Sequence, residues 1–173
     1  FTGKIPSSGE EGLKITCEAI SKMLDMTRSV TGPSEPGTFI RDDGFVIRND
    51  RWTSWIEERP FKDEDGAKKW LVKSIERLRN ADVKEIADRY LEYFTKILNY
   101  VGDTVVLLAQ TGTGLDELRH DLGIELFSYL SIDEPELISE YLDAYTDLQV
   151  SFIDRVADKN LSPCALTYGD IAI

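Results

Sequence analysis

The stretch from Asp103 to Asp170 constrains this chain most. Thr104-Val105-Val106-Leu107-Leu108-Ala109 is a continuous apolar run, the pattern of a strand buried on both faces. Thr111-Gly112-Thr113-Gly114 leaves it. Leu115 to Leu122 then reads as a short helix, Gly123 interrupts, and Ile124 to Ser131 is helical again. Ile132-Asp133-Glu134-Pro135 opens a long amphipathic helix to about Asp158, with Pro135 in its first turn and Asp133 or Glu134 as cap. Leu137, Tyr141, Ala144, Leu148, Phe152 and Val156 trace its buried face. After Lys159 to Ser162, the run Pro163 to Tyr168 reads as a second strand, closed by Gly169-Asp170. Strand, helices, strand is the signature of a parallel sheet with right-handed crossovers. The expectation is an α/β fold in which Asp103–Gln110 and Pro163–Tyr168 are parallel strands of one sheet.

Upstream, residues 1–37 form a tail rich in Gly, Ser and Pro, then a helix. That helix is expected over Glu10 to Val30, with Leu13, Cys17, Ile20 and Leu24 on one apolar face. Residues 38–60 read as a β-meander. Asp42-Asp43-Gly44 marks its first turn, Asn49-Asp50 its second, and Arg51 to Ile56 its third strand, with Trp52 and Trp55 as packing residues. Residues 61–173 hold the rest: a helix over Glu64–Arg79, with Trp70, Leu71, Ile75 and Leu78 inward. Another begins at Asp82, where Asp82-x-x-Glu85 has the capping-box spacing.

Thirty-two acidic residues against 20 basic ones leave a net charge of −12. That balance argues against a nucleic-acid or anionic-membrane partner, since both need a cationic surface. No apolar run approaches the roughly 18 residues of a membrane helix. Cys17 and Cys164 are the only cysteines and form no C-x-x-C pair. Cys164, within an apolar run, reads as a small buried hydrophobe. A reducing, cytoplasmic setting is expected. Phe1 in place of Met at the start leaves room for residues upstream.

Few motifs carry chemistry. Thr111-Gly112-Thr113-Gly114 follows a strand, but no Lys follows as a phosphate loop needs. Gly112 and Gly114 are followed by Glu117, where the dinucleotide pattern requires a third glycine. His120 is the only histidine and reads as a surface residue, so no metal site is assigned. G-x-S-x-G is absent, so no Ser-His-Asp triad is supported. The best catalytic candidate is Asp170, a carboxylate at a strand's carboxyl end, where α/β folds house their chemistry. Tyr168 shares its face if the strand alternates. Gln110 holds the matching place on the other strand, and both are substrate-binding candidates.

These blocks resemble the uroporphyrinogen decarboxylase superfamily, which also holds corrinoid-linked methyltransferases that pass methyl groups to thiols. The similarity lies in Leu122-Gly123-Ile124-Glu125-Leu126-Phe127, the Asp-Glu-Pro-Glu-Leu helix start at 133–137, and Ser162 to Ala172. In the family that last strand often ends in Gly-Asp-Asp-Ile-Ala; one Asp of the pair is missing here. The meander looks like an insertion of divergent members. The resemblance covers about Thr38 to Ile173. It implies a portion of a TIM (β/α)8 barrel, a fold roughly twice as long as this chain in the family, so that the chain looks like an internal or amino-proximal half with the small β-meander inserted. It also implies an enzyme, a methyltransferase or a decarboxylase (lyase), when full length.

Two family hallmarks are absent from these residues: an arginine-rich amino-terminal substrate motif, and the His-x-Cys with a distant Cys that holds zinc in the thiol methyltransferases. The decarboxylase binds a tetrapyrrole bearing many carboxylates, which calls for converging arginines. Neither strand end carries one; Arg41, Arg48 and Arg51 sit on the meander. Corrinoid-linked methyl transfer is therefore favoured. The expected partners are a small-molecule or tetrapyrrole substrate and a corrinoid protein. Zinc or a corrinoid belongs to the full-length enzyme, not to this segment. Self-association, or the missing remainder of the barrel, would cover the open sheet edges. The competing readings are uroporphyrinogen decarboxylation and a truncated, non-catalytic partner-binding module.

Overall fold

The computed structural model describes residues 8–27, 30–107, 109–159 and 161–167. The chain is a mixed α/β protein whose residues gather into two compact units. One comprises residues 1–59, 89–110 and 160–166, the other 60–88, 111–159 and 167–173.

The first unit begins with α1 (Gly9–Met23). Leu13, Ile15 and Cys17 are its buried apolar side chains. The helix stops well short of the expected Val30, because Leu24 turns extended. Met26–Thr27 then forms a short strand, β1. The four-residue step from Ile20 to Leu24 continues the helical spacing past the true end and hides this strand. β1 pairs in parallel with β5 (Val106–Leu107), Met26 opposite Val106. Thr31 to Pro36 returns close over α1. A Cβ on Gly32 would lie 2.9 Å from the Leu13 backbone nitrogen, so only glycine fits this approach.

The meander forms as β2 (Gly37–Ile40), β3 (Val46–Asp50) and β4 (Thr53–Glu58), antiparallel in the order β2-β3-β4. Arg41 and Phe45 close the first hairpin, and Gly44 takes φ +92°, the left-handed residue a three-residue loop requires. The second turn differs from expectation. Asp50 pairs with Thr53, so Arg51 and Trp52 form the tip, and the Asp50 carboxylate accepts from the Arg51 N–H at 2.8 Å. Asp50 thus belongs to the strand and fixes the turn beyond it. The tryptophans do not pack as expected: Trp52 is 58% and Trp55 45% exposed. Trp52 stands at a hairpin tip. Trp55 pairs with Arg48 on a face that also carries Thr38 and Glu57. Phe45 is the meander's fully buried anchor, with the Arg41 guanidinium 4.3 Å from its ring centre.

The core of the first unit joins Leu13, Cys17, Val30, Phe94, Ile97, Val101 and Val105. Phe94, Ile97 and Val101 come from α3 (Val83–Val101), whose residues from Arg89 onward belong to this unit. The Asp82 carboxylate accepts from the Glu85 N–H at 3.0 Å, capping α3 as its spacing predicts. The strand expected over Asp103–Gln110 is shorter. Gly102–Thr104 is a 3-10 turn, and β5 and β6 (Ala109–Thr111) follow. β6 lies beside β7 (Ala165–Thr167).

Cys164 is exposed and Cys17 fully buried, the reverse of the expectation for Cys164. Its backbone is held in a turn: the Ser162 hydroxyl donates to the Cys164 carbonyl at 2.8 Å and accepts from its N–H at 3.2 Å. β7 begins only at Ala165, so the thiol falls outside the strand. Burial pushes the Cys17 thiol up to about 11. A thiol reagent at about pH 8 is expected to label Cys164 about tenfold or more faster than Cys17, since only an accessible thiolate reacts. Equal labelling of both in folded protein would contradict this packing.

α1 is also tied to α3 by Glu10, which accepts from the Tyr100 hydroxyl at 2.6 Å and from Lys96 at 2.9 Å. The tyrosine hydrogen bond first, then Lys96, lowers the Glu10 carboxyl from 4.5 to about 2. A depressed carboxylate stabilises the folded state above its ordinary pKa, and that contribution fades as pH falls from about 4.5 toward 2. An NMR titration of the Glu10 side-chain carbon should show a midpoint near 2. A midpoint near 4.5 would mean that the tie does not form.

The second unit holds α2 (Glu64–Arg79), α4 (Leu115–Leu122), α5 (Ile124–Asp133) and α6 (Pro135–Val156). Asp63 caps α2 by accepting from the Gly66 N–H at 2.8 Å. Trp70, Leu71 and Ile75 point inward, while Leu78 is half-buried. α6 buries Ile138, Tyr141, Ala144 and Phe152. Leu137, expected on that face, is half-buried and Ile138 takes its place. Glu134 holds the N-cap position without a side-chain cap bond. Its carboxylate instead meets Lys68 at 2.7 Å.

Candidate functional site

The strand-end turn after β6 is the described part of the expected site. Thr111 ends β6, Gly112 to Gly114 turn, and α4 begins at Leu115. Gly114 takes φ +81°, a conformation other residues adopt at a cost. The Glu117 carboxylate reaches back to accept from the Gly114 N–H at 2.9 Å. Its other oxygen accepts from the Tyr145 hydroxyl of α6 at 3.2 Å. Both oxygens of one carboxylate thus serve the turn and the helix that backs it.

A side chain at either glycine would require its neighbours to shift. A Cβ on Gly112 would lie 2.5 Å from the Tyr145 hydroxyl and closer still to the Glu117 carboxylate. On Gly114 it would meet the Tyr145 ring at 2.8 Å. The ring of Tyr145 in turn stacks on Tyr141, centroids 6.3 Å apart. This arrangement bears on the phosphate-loop motif weighed from sequence. A phosphate would need the turn's N–H groups, and the protein's own carboxylate already takes the one at Gly114.

Of the sequence-predicted site residues, Gln110 lies in β6, and its side chain is outside the described residues. Tyr168 and Asp170 also lie outside them. His120 is exposed on α4, as expected. Among the described residues no group of three His, Cys, Asp or Glu side chains is placed to hold a metal ion. No helix among them is long and apolar enough to cross a membrane.

Sequence reasoning missed Glu117 and Tyr145. Glu117 had a local signal, since it stands three residues after Gly114, the offset of a capping-box glutamate. Tyr145 had none beyond its place on α6, because its contact with Glu117 spans 28 positions. The described arginines near these elements are engaged by acids: Arg119 meets Asp116 at 3.4 Å and Arg79 meets Glu140 at 2.8 Å. No protein-family model, curated protein or solved structure matches the chain.

Proposed function

We propose that this chain is part of a uroporphyrinogen decarboxylase-like TIM-barrel enzyme, and that its reaction is corrinoid-linked methyl transfer. The single observation that carries the reading is the pairing of β6 with β7, since the chain between them passes through three helices, α4, α5 and α6. The hydrogen bonding favours a parallel pair. In the parallel β1–β5 pair, Val106 is opposite Met26 and donates to the carbonyl of Asp25, one residue before its partner. Ala109 likewise donates to Cys164, one residue before β7 begins. An antiparallel pairing of the same short strands would send that bond to the far end of β7. Parallel neighbours joined by helices are the repeating unit of the barrel, and their carboxyl ends form its catalytic rim.

The choice of methyl transfer rests on charge. A decarboxylase substrate bearing many carboxylates needs converging arginines. The turn after β6 instead offers Glu117 and a tyrosine hydroxyl. On this reading Asp170 acts at the rim, with Tyr168 and Gln110 beside it on the substrate. Zinc and the corrinoid are supplied outside this segment.

The test uses the full-length protein with methylcobalamin and a small thiol, following loss of the cobalt–methyl spectrum. Thiol-dependent demethylation is expected, and Asp170→Asn should slow it about tenfold or more, the scale of one lost transition-state contact. Conversion of uroporphyrinogen with release of carbon dioxide would instead assign decarboxylation. Absence of both activities in folded protein would favour a partner-binding module.

A further inference from the structure

The two outer strands of the meander meet solvent differently. β4 is guarded. Its register with β3 skips Glu57, a bulge, and Glu57 and Glu58 place charge at its end. Bulges and charged side chains are what keep an edge from pairing with another chain. β2 has neither. Gly37-Thr38-Phe39-Ile40 is uncharged, regular in register and exposed along its length, with Phe39 48% and Ile40 73% accessible. Among the described residues no strand lies on its outer side.

The phase of the hydrogen bonds fixes what β2 offers there. Arg41 donates to the Phe45 carbonyl, so Arg41, Phe39 and Gly37 turn their backbone groups toward β3. Antiparallel strands alternate in this respect, so Thr38 and Ile40 turn theirs outward. We propose that this edge pairs with β2 of a second copy of the chain, antiparallel about a two-fold axis at Phe39. In that register Thr38 lies opposite Ile40 of the second copy, Ile40 lies opposite its Thr38, and each pair exchanges both N–H···O bonds. Phe39 meets its own copy as the closer, non-hydrogen-bonded pair, and facing aromatic rings stabilise such pairs. The patch is self-complementary, as a two-fold interface requires. It also sets no charge against a like charge, whereas β4 against β4 would oppose glutamates. The bulge on β4 blocks pairing of β2 with β4, so the contact closes as a dimer and does not grow into a filament.

Size and charge set the strength of this dimer. β2 has four residues, a length of about 14 Å, too short to bury the roughly 1,200–2,000 Å² of a stable interface. Each copy also carries a net charge of −12 over these residues. The dimer is therefore weak and reversible, and salt strengthens it by screening the repulsion. This pairing is independent of the reaction proposed above.

Sedimentation velocity of the full-length protein at rising concentration, in low and high salt, tests the pairing. Reversible dimerisation is expected, favoured by salt, with the Thr38 and Ile40 amides exchanging more slowly as concentration rises. Phe39→Glu and Phe39→Lys should each weaken the dimer about tenfold or more, since each loses the aromatic pair and opposes like charges. An equal mixture of the two should pair again. Thr38→Pro removes an outward donor that β3 does not use, and should weaken the dimer likewise. A disulfide reads the register. The Phe39 Cα atoms of the two copies should lie about 4.5 Å apart, within disulfide reach. With Cys164 and any other exposed cysteines changed to Ser, oxidised glutathione should link Phe39→Cys to its copy but not Ile40→Cys. A monomer whose β2 amides exchange freely at every concentration would overturn the proposal and leave the edge to a different chain. Protection of β2 in a monomer would also overturn it, because the rest of the full-length chain would then cover the edge. A dimer indifferent to both Phe39→Glu and Thr38→Pro in folded protein would place the contact on another face, against the proposal.

Discussion

Phe94→Ala is expected to destabilise the first unit by about 3–5 kcal/mol, the usual cost of removing a buried aromatic ring. Phe94 is only 5% exposed and sits in one cluster with α1, Val30 and the approach to β5. Tyr90 packs beside it with ring centroids 5.6 Å apart. These partners come from separate stretches of chain, so they cannot easily collapse into the space left behind. A typical domain has only about 5–15 kcal/mol of net stability, so this variant should lose a large share of it. Urea unfolding followed by circular dichroism would report the change as a fall in midpoint with little change in slope. A shift worth less than about 1 kcal/mol would mean that α3 does not bury this ring.

Trp70→Ala should have an effect of similar size in the second unit, about 3–5 kcal/mol. Trp70 is 7% exposed on α2, with the Phe61 ring 5.5 Å away and the Arg77 guanidinium 5.9 Å from its own ring. α2 is also linked to the start of α6 by Lys68 with Glu134, and to its next turns by Arg79 with Glu140. Those pairs lie at the surface, where solvent screens them and ordering long side chains offsets most of the attraction. Apolar burial therefore decides this contact. Lys68→Ala should shift the unfolding midpoint far less than Trp70→Ala. The reverse ranking would show that the ion pairs, not the indole, hold α2 in place.

Much of the helical architecture was legible because it is written in local signals. α2 and α4 fall on their expected bounds, set by Asp63 at one N-terminus and by Gly114 and Gly123 around the other. The first hairpin was legible because Asp43-Gly44 encodes a left-handed turn residue. The misses share a different cause. β1 is very short and depends on β5, a partner far along the chain that no local pattern announces. The second meander turn moved because Asp50 acts through its side chain as a brace rather than as a turn residue. The apolar character of Trp52, Trp55 and Cys164 points to the core, whereas a hairpin tip and a turn before a strand bury little. Half of the bracing of the turn after β6 was legible in Gly114-x-x-Glu117; Tyr145 was not, since nothing local couples α6 to that turn.

The most direct test of the account is the direction of β6 against β7, because the barrel reading and the shared rim both depend on it. Interstrand NOEs in the full-length protein distinguish the two arrangements. A parallel pair should show contacts of Ala109 with Ala165 and of Thr111 with Thr167, without the strong Hα–Hα contacts of antiparallel strands. That result would bring Gln110 and Asp170 toward the same end of the sheet. Strong Hα–Hα contacts linking Ala109 to Thr167 would contradict it, and would separate the residues on which the proposed site rests.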